Sequence, residues 1–88
     1  MAVSKVLVVD DAEADRVALK QILTDAGYQV VCAASGAEAL DRAGSDAPDL
    51  VLLDVVMDEM DGFKTCRELS SNPATSAIPV IMVSGNAQ

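Results

Sequence analysis

Val6-Leu7-Val8-Val9-Asp10-Asp11 and Leu50-Val51-Leu52-Leu53-Asp54 are two apolar runs that each end in acid. Runs of this length, rich in Val and Leu and free of polar alternation, predict parallel strands buried on both faces. In open parallel sheets the functional crevice lies beyond the carboxyl ends of the strands. Asp10, Asp11 and Asp54 stand there. Carboxylates gather beside a dry core only when a cation or a proton holds them. Three of them call for a hard divalent cation. Mg2+ suits best, because it takes one or two carboxylates together with phosphate oxygens and water.

Outward from these runs the chain alternates. After the strand Lys5 to Val9, residues 12–26 carry a helical stripe of Leu19, Ile22, Leu23 and Ala26, which predicts the face turned to the core. Gly27 is the stop signal. Tyr28 to Ala33 reads as a second strand. Ser35 with Glu38 three residues later forms a capping box that opens a helix through Leu40 and Ala43. Pro48 and Asp49 separate that helix from the strand Leu50 to Leu53. Phe63, Cys66 and Leu69 mark a third helix, which Asn72 and Pro73 end, and Pro79 leads into the strand Val80 to Val83. The order β-α-β-α-β-α-β predicts an α/β fold with a parallel sheet and right-handed crossovers. A flavodoxin-like strand order, 2-1-3-4, would bring the three acids together where the connection direction reverses.

With 88 residues, the chain is expected to form one domain over 1–88, with a core of thin Val, Leu, Ile and Ala layers, since it holds one Phe, one Tyr and no Trp. A net charge of −8 argues against nucleic acid and for cations or basic partners. Cys32 and Cys66 stand far apart with no His in the chain, which excludes a zinc site and predicts two free thiols. Residues 1–4 are too short for a signal peptide and no apolar stretch approaches a membrane span, so a cytoplasmic protein without membrane contact is expected.

The acid pair after strand 1, the lone Asp after strand 3, the cassette Asp54-Val55-Val56-Met57-Asp58-Glu59-Met60-Asp61-Gly62 and the small hydroxyl Ser84 closing Val80 to Val83 resemble the receiver domain of two-component response regulators, a chemotaxis-receiver-like family. The likeness runs from Lys5 to Gly85. It implies that Asp54 accepts a phosphoryl group from a sensor histidine kinase. It also implies Mg2+ held by Asp11, Asp54 and the backbone carbonyl of Val56, with Asp10 helping through a water. Ser84 would hydrogen-bond a phosphoryl oxygen, and Gly85 would let backbone approach it. Such a domain is a phosphoacceptor, not an enzyme in its own right.

The bottom-up chemistry agrees. A carboxylate is a poor nucleophile unless the phosphoryl group is held in line and its charge is drawn off by a metal. Asp11 is expected to cap the first helix as well. Asp58, Glu59 and Asp61 read as a solvated acidic loop, with Asp61-Gly62 as turn chemistry.

Two departures stand out. Asp58 occupies the position after Met57 where family members usually carry Pro. The 88 residues also end just past strand 4, so the usual fifth strand with its Lys, and the last two helices, are absent from them, as in a truncated receiver. An apolar fourth strand at a sheet edge predicts a homodimer or swapped assembly. A non-signalling fragment that self-associates through that strand is the competing expectation. A haloacid-dehalogenase-like phosphatase would need an Asp two residues after the nucleophile, and position 56 is Val.

Overall fold

Strand β1 (Lys5–Val9) lies between β2 (Gln29–Ala33) and β3 (Leu50–Asp54), and β4 (Val80–Val83) pairs with β3 at the edge. All three pairings are parallel, in the order 2-1-3-4. Helices α1 (Glu13–Asp25), α2 (Gly36–Asp46) and α3 (Gly62–Ser71) make the crossovers. The computed structural model describes residues 3–54 and 62–83. The fold is therefore the flavodoxin-like sheet expected from the apolar runs.

Strand alternation divides the core into two unequal halves. Leu7, Val9, Ala33, Val51 and Leu53 face α2 and α3, where they pack with Ala39, Ala43 and Leu69, all fully buried. Val31, Val80, Met82 and Cys66 border the same cluster. Small residues on α2 let that helix come close to the sheet. On the other face, α1 packs against β1 and β2, and Val6 and Val8 are fully buried there. Leu52 is only half-buried, and Ile81 is 51% exposed.

This corrects two expectations. No residue of α1 is buried, and Ile22 of its apolar stripe is 63% exposed. The stripe marks which side of the helix faces inward, but α1 sits over only half of the sheet. For the same reason β3, expected to be buried on both faces, is only half-buried on the α1 side at Leu50 and Leu52, and the edge strand β4 is more open still. Phe63, at the head of the α3 stripe, is also 62% exposed, so only Leu69 of that stripe is fully buried.

Local chemistry explains where the elements stop. Gly27 closes α1 with φ +100°, a conformation that side chains resist. The Ser35 hydroxyl accepts the Glu38 amide at 3.1 Å, as the capping box requires, while the Glu38 carboxylate takes the Ala34 amide at 2.8 Å. Helix α2 ends at Ala47, which holds a left-handed φ of 48° although it is not glycine. Beyond it Asp49 fastens the start of β1: one carboxylate oxygen accepts the Ser4 and Lys5 amides, each at 2.9 Å. The Lys5 ammonium donates to the Asp46 carbonyl at 2.8 Å. Both cysteines are free and half-buried, as expected. None of the described helices is long and apolar enough to cross a membrane.

Candidate functional site

Register places the acids side by side. Val9 pairs with Leu53, so Asp10 follows β1 at the level of Asp54, the last residue of β3. The Asp10 amide donates to the Ala33 carbonyl at 3.1 Å, which extends the β1–β2 ladder by one bond beyond the strand. The chain then turns sharply into α1. One carboxylate oxygen from each of Asp10, Asp11 and Asp54 lies within 4.8 Å of the others. Asp10 and Asp54 are buried, at 5% and 9% exposure, and Asp11 is exposed at the mouth.

That arrangement is electrostatically costly without a cation. Two unit charges at this separation repel by roughly 3–4 kcal/mol at an effective dielectric near 20. Burial lifts the Asp10 carboxyl above its ordinary range. The Ala12 amide pulls the other way, and Asp54, Asp15 and Asp11 push it further up. Oxygens bound to one Mg2+ lie about 3–4 Å apart, given metal–oxygen distances of about 2.1 Å. The three carboxylates therefore need only a small approach, or one intervening water, to share an ion. An all-oxygen donor set with one solvent-facing member suits a hard cation that keeps several waters.

The turn itself differs from the capping expected of Asp11. Ala12, not Asp11, is the N-cap of α1, and the Ala12 side chain makes no cap hydrogen bond. Instead an Asp10 carboxylate oxygen accepts the Ala12 amide at 2.9 Å, an Asx-type turn. Asp10 is thus the residue that organises the turn, and Asp11 is displayed by it. Arg16, which no sequence signal singled out, donates from its guanidinium to the Asp10 carbonyl at 2.8 Å.

Of the other residues expected at the site, Val56 and Ser84 lie outside the described residues, as do Asp58, Glu59, Asp61 and Gly85. The structure does bring the end of β4 to the site. Val83 lines a cavity of about 230 Å3 together with Asp10, Asp15, Ala18, Leu19 and Ile22.

Residues 6–88 match the family model of the response regulator receiver domain. The response regulator PleD of Caulobacter vibrioides is 46% identical over 80 residues, which cover 91% of this chain and 18% of PleD. Protein PilH of Pseudomonas aeruginosa is 38% identical over 85 residues, covering 97% of this chain and 70% of PilH. Among solved structures, the N-terminal domain of a response regulator receiver protein from Methanoculleus marisnigri superposes with a TM-score of 0.92 at 37% identity, over 99% of this chain and 71% of that one. The chemotaxis protein CheY4 of Vibrio cholerae superposes with a TM-score of 0.90 at 34% identity, over 99% and 72%. The chain thus spans less than a fifth of PleD and about seven-tenths of the others.

Proposed function

The chain belongs to the response regulator receiver domain family, and from that premise we propose that Asp54 is its phosphoacceptor, charged by a sensor histidine kinase with Mg2+ as cofactor. The convergence of Asp10, Asp11 and Asp54 at the ends of adjacent strands carries this reading. An Asp54 carboxylate oxygen attacks phosphorus as the P–N bond to the kinase histidine breaks, and the departing imidazole takes up a proton. The product is an acyl phosphate on Asp54. Two-component signalling as a phosphoacceptor follows from the family; the kinase, the ion and the residue roles are our reading.

Asp11 and Asp54 would hold the ion directly, with the Val56 carbonyl as a third ligand and Asp10 acting through a water. Mg2+, when bound, offsets the charge of the three acids and of the transferred phosphoryl group. Burial of Asp54 at the end of β3 keeps its carboxylate in one orientation, so the nucleophile is aimed before the donor arrives. The Ser84 hydroxyl, next in sequence after β4, would donate to a phosphoryl oxygen. A non-signalling fragment has no observation in its favour. The phosphoryl group comes from a separate donor, so we assign the domain no independent enzymatic activity, and we place it with its kinase in the cytoplasm.

Incubation with acetyl phosphate and Mg2+, followed by intact mass measurement, tests the assignment. One phosphoryl group should be gained, and none by Asp54→Asn. Equal gain by Asp54→Asn, or none by folded wild type, would overturn it.

A further inference from the structure

The turn that presents the acid pair is tied by four hydrogen bonds, and two of them involve the same residue of α1. Asp10 donates its amide to Ala33 and accepts the Ala12 amide on its carboxylate. The Arg16 backbone amide donates to the Ala12 carbonyl at 3.0 Å, while its guanidinium donates to the Asp10 carbonyl at 2.8 Å. Arg16 therefore closes the turn from both sides of Asp11. A charged donor on a carbonyl is about twice as strong as a neutral one, and a half-buried guanidinium holds its geometry better than an ammonium would. The groups pressing electrostatically on the Asp10 carboxyl are Asp54, Asp15 and Asp11, while Arg16 meets Asp10 at its backbone.

We propose that Arg16 is a positioning residue of the site: by gripping the Asp10 carbonyl it holds the turn in the shape that turns Asp10 and Asp11 toward Asp54. Its role toward the ion rests on the metal reading above. Groups that orient metal ligands without touching the metal commonly alter affinity 10- to 100-fold.

The test compares wild type with Arg16→Met and Arg16→Lys. It reads Mg2+ affinity from the shift of melting temperature on titration with Mg2+ alone, and amide hydrogen exchange in metal-free protein. Arg16→Met should weaken Mg2+ binding about tenfold or more and speed exchange at Ala12, leaving the Leu7 and Val51 amides protected. Arg16→Lys should recover affinity only to the extent that it restores protection at Ala12. If Arg16→Met fails to fold, Arg16→Lys against wild type carries the same comparison. Unchanged affinity and protection in the variant would overturn the proposal, as would lost affinity with the Ala12 amide still protected, which would mark a pure charge effect. Should wild type itself ignore Mg2+, the metal reading fails separately, and faster exchange at Ala12 still decides whether Arg16 holds the turn.

Discussion

Asp10 bears two opposing demands: its carboxylate organises the turn into α1, and it is buried beside two other acids. Asn can still accept the Ala12 amide, but carries no charge. Asp10→Asn should therefore stabilise the metal-free chain by about 1 kcal/mol, roughly 5 °C for a domain this small, while weakening its response to Mg2+. Thermal melts with and without millimolar Mg2+ check both halves of that expectation. A second position offers a gain unrelated to function. Ala47 holds φ at 48°, which costs an L-residue about 1–2 kcal/mol, partly offset by the greater freedom glycine has when unfolded. Ala47→Gly should raise stability by about 0.5–1 kcal/mol, measured as an increased urea midpoint at unchanged slope.

At the scale of the elements, the start of β1 depends on Asp49. The Lys5 amide, then the Ser4 amide, hold its carboxyl below the ordinary value of 3.8. A carboxyl lowered on folding stabilises the protein above its unfolded value and loses that contribution as pH falls through the lowered one. Wild type should therefore lose stability below about pH 4. Asp49→Ala should start weaker at neutral pH and show a smaller loss over that interval, as read from urea midpoints between pH 7 and 3.

The elements also show how far the sequence could be read. Strands β1 and β3 were legible because each is an apolar run with no polar alternation to confuse it, although α1 leaves β3 half-open on one face, and their acid ends located the site. The inward side of α1 was legible too, but not its shallow burial, because periodicity says nothing of how much sheet lies beneath a helix. Asp11 was misassigned as a cap because adjacent acids before a helix look alike until the backbone shows which one turns back. Arg16 escaped notice because an arginine in the second turn of a helix usually points to solvent, and only the sharp bend at Asp10 brings a carbonyl within its reach.

Across the whole molecule, α1 covers β1 and β2 while β3 and β4 show apolar side chains on that face. Among the described residues nothing pairs with the outer side of the edge strand β4, and Ile81 is exposed on it. Such an edge recruits further chains unless charge blocks it. We expect the 88-residue chain to self-associate as its concentration rises, more readily when salt screens the net charge of −8. Sedimentation velocity over a concentration series should show Ile81→Lys staying monomeric where wild type does not; identical profiles would remove β4 as the contact.

The position of β1 has a consequence for how the protein is made. Of the described strands, β1 is translated before both of its neighbours, and the second of them, β3, follows more than 40 residues later. A nascent chain can pair β1 with β2 early, since domains begin to organise as they emerge. It carries Asp10 and Asp11 throughout that period without the third acid. The three carboxylates meet only when Asp54 arrives and β3 inserts against β1. During synthesis, a divalent ion therefore meets all three acids only once β3 is in place, and it then locks a sheet that is already assembled.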